Sequence, residues 1–169
     1  MYKAKDFFKD LLSIGISVIV ITFILLRFIL MPVLVHGNSM LPTLEPDDYG
    51  YSFKIARKIG IKRFDVVVID VESDDDKLLV KRLIGLPNEK IEYIDNHLYV
   101  NGEYVEEDFL ADDAYTADFA YELGDNEYFV MGDNRLISKD SRFYGSFSGE
   151  QIIASHLLVL FPFGHLGVK

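Results

Sequence analysis

The chain has 169 residues, half of them apolar, which suits one packed domain with an appendage and argues against wholesale disorder. Its net charge of −10 is unevenly held: residues 1–30 carry four basic and two acidic side chains, which leaves −12 on the remainder, a body that repels phosphate backbones and makes nucleic acid an unsuitable partner. There is no cysteine, so disulfides, thiol catalysis and cysteine-held metals are excluded.

Residues 11–35 read LLSIGISVIVITFILLRFILMPVLV, with Arg27 the one charge in the stretch. A bilayer core needs roughly 20 apolar helical residues. Residues 11–26 supply an uncharged run, Arg27 snorkels to the far interface, and Pro32 marks the helix exit. A buried core helix is rarely this long. A cleaved secretory leader needs small residues beyond its apolar run, and RFILMPVLVHGN has no A-x-A pattern. The reading is an uncleaved transmembrane anchor over 11–30 that has the lipid bilayer as a partner. Lys3, Lys5 and Lys9 keep residues 1–10 in the cytoplasm, which makes a single-pass cell-membrane protein with residues 31–169 extracytoplasmic.

The body reads as mainly β. FDVVVIDV (64–71) is a near-continuous β-branched run, as for a strand buried on both faces. LLVKRLIG (78–85) and EYFVMG (127–132) are further strands, and residues 90–105 form a small meander with turns at Asp95-Asn96 and Asn101-Gly102. Residues 106–126 are acidic and weakly patterned, and are read as loop or insertion. Ser73 to Asp76 (SDDD) is read as a solvated turn, since it lacks the spacing and glycine of a calcium loop.

Three segments can carry chemistry. Gly37-Asn38-Ser39-Met40-Leu41-Pro42-Thr43 follows the anchor directly and offers a hydroxyl beside a permissive glycine; taken alone, it reads more simply as a capped loop. In LLVKRLIGL, strand alternation puts Lys81 on a face with Leu79 and Leu83. Burial favours the neutral amine. At a pKa of about 10.4 roughly 0.04% of a lysine is neutral at pH 7, whereas at about 8 the share is near 10%, enough for a base. The third segment, MGDNRLISKDSRFYG (131–145), is either a charged surface turn or a scaffold of ion pairs with a hydroxyl from Ser138 or Ser141. A histidine triad is disfavoured: His36, His97, His156 and His165 fall in no recognisable motif, and there is no G-x-S-x-G elbow or zinc-binding H-E-x-x-H.

In order along the chain, HGNSMLPTL, KRFDVVVI (62–69), VKRLIGLP and GDNRLISKDSR resemble the nucleophile motif, a supporting strand, the general-base motif and the closing motif of the bacterial type I signal peptidases. The single anchor and short body are more like the Gram-positive forms. The resemblance implies an antiparallel β catalytic body of signal-peptidase/LexA-like kind, with a smaller inserted β subdomain at about 88–127. It implies a serine endopeptidase that removes signal peptides from secreted preproteins at the outer membrane face, after small residues at −1 and −3. Ser39 would be the nucleophile and Lys81 the general base, with no metal and no cofactor.

Ser138 would aim Lys81, the Ser39 N–H would serve the oxyanion hole, and Met40 would floor the substrate site. Asp133, Arg135, Asp140 and Arg142 would be supporting ion pairs. Gly37 stands where some relatives carry an extra oxyanion-hole serine. Three family glycines, in G-D, R-G-D and P-G-D, are replaced at Asp47, Phe64 and Asn88, from which altered turns are expected; IIASH in place of I-I-G-K-A concerns local packing. Two alternatives are a self-cleaving repressor, which the anchor and acidic body oppose, and a catalytically silent or specialised membrane-anchored paralogue acting as a binding module, which the presence of both Ser39 and Lys81 opposes.

Overall fold

The computed structural model describes residues 4–54, 60–71 and 77–169; Lys3 and the SDDD stretch lie outside the described residues. The chain opens with helix α1 (Ala4–Ile24), continued by one π-helical turn at Leu25–Ile29. Between Asp6 and Ile29 an 18-residue stretch of this helix reaches a mean hydropathy of 2.5, with none of that stretch buried against the body. It is long and apolar enough to fit a single membrane span.

Strand β1 (Leu30–Leu34) begins at the next residue. The helix therefore stops three residues short of Pro32, which sits inside β1 opposite Tyr51 rather than at a helix exit. β1 is a terminal strand of its sheet, where a residue without an N–H costs no ladder bond.

The larger sheet takes β2 (Tyr49–Phe53), β3 (Val66–Val71), β4 (Lys77–Gly85), β9 (Glu127–Met131), β10 (Phe147–Ser148) and β11 (Ile152–Phe161) in the order β1-β2-β11-β3-β4-β9-β10, with β12 (Gly167–Val168) attached to β11. All its pairings are antiparallel. β3 matches its apolar sequence: five of its six residues are buried, as central strands covered on both sides require. Val66, Val68, Leu157 and Val159 pack with Met40 and Leu44 on one side, while Val67, Ile69, Leu79, Leu83 and Val130 form a second cluster.

The smaller sheet has the order β7-β6-β5-β8 and is built from β5 (Lys90–Ile94), β6 (His97–Val100), β7 (Glu103–Val105) and β8 (Phe119–Glu122). Asp95-Asn96 and Asn101-Gly102 all have positive φ, which matches the right-handed strand twist in two-residue hairpins. β8 corrects the reading of 106–126 as loop throughout. Its FAYE sequence pairs with β5 across 26 to 32 positions of chain, a contact that local composition conceals. The small sheet shares a core with the large one, since Ile84, Phe129 and Met131 pack against Ile91, Tyr93 and Leu98. The molecule is thus mainly β, with an N-terminal apolar helix and a smaller inserted β layer.

At the three positions where family glycines are replaced, Asp47 (φ 68°), Phe64 (φ 72°) and Asn88 (φ 65°) adopt the left-handed conformation that glycine adopts freely. Asp and Asn tolerate it; a phenylalanine there is a strained outlier. The Phe64 ring lies edge-on to Phe109 at 5.1 Å, and that packing opposes the strain.

Candidate active site

Ser39 lies on the loop between β1 and β2, just past a sharp turn at Gly37 (φ 78°), a conformation any side chain would resist. The loop is closed at its base by Val35 N–H to Asp48 O (2.9 Å) and Asp47 N–H to Val35 O (3.0 Å), and within it by Leu44 N–H to Met40 O. Met40 is only 1% exposed and anchors the loop in the core beneath Ser39.

Lys81 comes from the middle of β4 opposite Val67, with Leu79 and Leu83 buried on its face as alternation predicts. Only 3% of Lys81 is exposed, and its Nζ reaches Ser39 Oγ at 2.7 Å. A cavity of about 500 Å³ opens beside the pair, lined by Met31 to His36 of β1 and its exit, by Ser39 and Met40, and by Val68 and Leu78 to Lys81. Its walls are largely apolar. Two backbone edges face open space here. Among the described residues β1 pairs with β2 alone, and the first half of β4 pairs with β3 while β9 meets β4 only from Arg82 onward.

The closing motif wraps the far side of Ser39. The Asn134 N–H donates to Ser39 O at 3.1 Å. A Cβ on Gly132 would collide with Ser138 Oγ and Ser39 O, so this position admits only hydrogen as a side chain. Ser138 Oγ is buried there and has no hydrogen-bond partner among the described residues. Asp140 accepts from the Gly132 N–H and holds Arg142 at 2.8 Å. Burial alone would push its carboxyl up, but Arg142 and the Gly132 N–H hold it below its ordinary value of 3.8.

Asp133 and Arg135 do not pair with each other. Asp133 takes both arms of Arg82, at 2.8 and 2.6 Å, and Arg82 also reaches Thr43 Oγ1 and Phe64 O and stacks over the Phe109 ring. Arg135 reaches into the small sheet, where it donates to Tyr93, Thr116 and Glu107. Burial drives the Tyr93 phenol well above its ordinary value, with Arg135 opposing. Arg82 and Glu107 are thus the partners that sequence reasoning left out. Both are charged residues in apolar or loop context, whose mates are fixed by folding over long separations.

A Ser-His-Asp grouping does exist elsewhere. Ser155 Oγ is 2.8 Å from His156 Nδ1, and His156 Nε2 is 3.4 Å from Asp65. Ser155 is fully buried between strands, so no substrate reaches it. His165 binds Asp48 and Glu45, and His97 faces the Asp95 carbonyl.

Residues 8–161 match the family described as signal peptidase, peptidase S26. The chain belongs to that family. It is 37% identical over 177 residues to signal peptidase I S of Bacillus subtilis, which spans 97% of this chain and 94% of the relative. Signal peptidase IB of Staphylococcus aureus is 33% identical over 178 residues, spanning 94% and 92%. The crystal structure of a signal peptidase I from Enterococcus faecalis V583 superposes with a TM-score of 0.51 at 31% identity, covering 57% of this chain and 96% of that one. The chain is accordingly a serine endopeptidase with signal peptidase I function. The motif matches and the mainly β architecture point the same way.

Proposed function

We propose that this signal peptidase works through a Ser39–Lys81 dyad and cuts signal peptides from preproteins at the outer face of the membrane. The observation that carries the reading is the 2.7 Å approach of a nearly fully buried lysine to a serine hydroxyl at the edge of an open apolar cavity. With its ammonium deprotonated, Lys81 accepts the Ser39 proton as Oγ attacks the scissile carbonyl, then passes it to the departing amine. The Ser39 N–H faces the developing oxyanion, and Gly37 supplies no hydroxyl to help it. The Asn134 N–H holds the Ser39 carbonyl in place, and Gly132 leaves that carbonyl room.

The free edges of β1 and β4 suit an extended peptide lying between them, its backbone bonded to both and its small −1 and −3 side chains in the cavity. A preference for small −1 and −3 side chains is part of this reading. Residues 1–10 lie in the cytoplasm, residues 11–30 cross the bilayer and residues 31–169 face outward, by the excess of lysine before the apolar run. The anchor holds the site where signal helices leave the membrane, which raises effective concentration.

Cleavage of an Ala-x-Ala preprotein in detergent by Ser39→Ala and Lys81→Ala tests the dyad: both variants should be inactive, and retained activity in either sinks it. A membrane-anchored binding module is separated by the wild-type result alone, since it cleaves nothing.

A further inference from the structure

The loop that carries Ser39 leaves the sheet at Val35 and returns at Asp48, its neck shut by Val35 N–H to Asp48 O and Asp47 N–H to Val35 O. Asp48 is only 1% exposed, so its carboxylate needs donors of its own. One oxygen accepts the Glu45 N–H at 2.9 Å, from within the loop. The other lies 2.9 Å from His165 Nδ1, a residue 117 positions further along the chain. A carboxylate can only accept, so Nδ1 donates. Among the described residues no other side chain donates to Asp48. The second nitrogen of the same ring, Nε2, lies 3.4 Å from Glu45 Oε1, so one imidazole touches two residues of the returning loop.

The ring is held firmly from behind. His165 ends a short 3-10 turn (Phe163–His165) after β11, with its N–H on Pro162 O at 3.0 Å. The chain then folds back as β12, where Gly167 pairs with Val159 and Val168 with Leu158, and the Lys169 N–H bonds Leu157 O. β11 lies two strands from β4 in the large sheet, so the imidazole is fixed to the same frame that carries Lys81.

Of its two contacts the buried one decides. Glu45 is 55% exposed, where an ion pair is screened and worth little. A buried carboxylate that loses its donor must instead take up a proton or draw water into the neck. Val35 at that neck packs in one cluster with Met40 and Leu44, and Met40 adjoins Ser39. Slack at the neck therefore reaches the 2.7 Å gap between Ser39 Oγ and Lys81 Nζ.

We propose that His165 is a positioning residue: by holding Asp48 it fixes the nucleophile loop to the sheet that carries the base. The proposal rests on the Ser39–Lys81 reading given above.

The test uses the full chain in detergent and an Ala-x-Ala preprotein. His165→Ala should lower kcat about tenfold and leave KM within about twofold, the split expected when only the alignment of the reacting atoms is lost. An asparagine amide carries its nitrogen on Cγ, as the imidazole carries Nδ1, whereas a glutamine amide reaches toward the Nε2 position. His165→Asn should therefore return kcat to within about threefold of the wild type, and His165→Gln should stay near the alanine variant. Should His165→Ala fail to fold, the difference between the asparagine and glutamine variants carries the same test. Full kcat in His165→Ala, a loss confined to KM, or equal kcat in the asparagine and glutamine variants overturns the proposal and leaves the dyad standing. No cleavage by the wild type overturns the underlying function instead.

Discussion

Replacing Gly132 with alanine places a methyl group where Ser138 Oγ and Ser39 O already lie, with Ser138 Cβ only 2.6 Å away. Ordinary contacts at that position begin near 3.4 Å, so the neighbours must retreat by close to an ångström. Ser138 can rotate. The Ser39 carbonyl cannot move freely, because it accepts the Asn134 N–H at 3.1 Å and its residue carries the hydroxyl 2.7 Å from Lys81. Overpacking of this kind costs about 1–3 kcal/mol, or roughly 2–4 °C of melting temperature per kcal/mol in a protein of this size. A displacement near 1 Å at the reacting atom costs about 100-fold in rate. Gly132→Ala should therefore lower kcat for preprotein cleavage about 100-fold while the protein stays folded by circular dichroism. Adding Ser138→Ala removes one of the three collisions, its Cβ staying in place, and should restore part of the stability and less of the rate. Full kcat in Gly132→Ala would refute the claim that this glycine holds Ser39 in register.

Four further outcomes are expected. Arg82→Met strands Asp133, whose side chain is fully buried, and should cost about 3–5 kcal/mol in urea unfolding; a smaller loss in Arg82→Met/Asp133→Asn shows that the unpaired charge is the cause. Asp140 has a folded-state pKa below its unfolded one, so its contribution is fully present above about pH 3.8 and is lost as the pH falls through the lower folded value. Asp140→Asn should accordingly be less stable than the wild type at pH 7, the gap closing toward pH 2 in acid-titration melts. Phe64→Gly relieves a strained φ worth about 1–2 kcal/mol but gives up the ring on Phe109; net destabilisation on thermal melting is expected, and a gain in stability would show that strain outweighs packing. Cleavage should rise toward alkaline pH as Lys81 loses its proton; a profile governed near pH 6.5 would assign the base to a histidine.

Much of this was legible from residues. The β-branched run at 66–71 and the hairpin turns at 95–96 and 101–102 are local signals with local causes, and each became the expected element. The apolar neighbours of Lys81 in sequence foretold its burial, because strand alternation carries one face inward. β1 was obscured by Pro32, which looks like a helix stop and is in fact tolerated in a terminal strand. β8 was hidden in an acidic stretch, where pairing with β5 overrides weak intrinsic preference. The ion-pair mates escaped because Arg82 and Asp133 lie 51 positions apart and Arg135 and Glu107 28, distances at which only topology decides contact.

At 47, 64 and 88, where family glycines are replaced, the backbone is left-handed and the side chain bears the cost. At Phe64 the cost is set against a new bond between catalytic sheet and insert, in which the ring, Phe109 and Arg82 are stacked together.

The unpaired margins of β1 and β4 have a further consequence. Most sheet proteins blunt such margins with charge, proline or a covering loop, because a bare edge recruits any chain able to extend. Here Pro32 interrupts the β1 edge, but Leu78 to Val80 present an apolar border. Such a border is where crowded molecules would stitch themselves together. Concentrated stocks of the protein should keep better with a short extended peptide occupying the groove than with detergent alone.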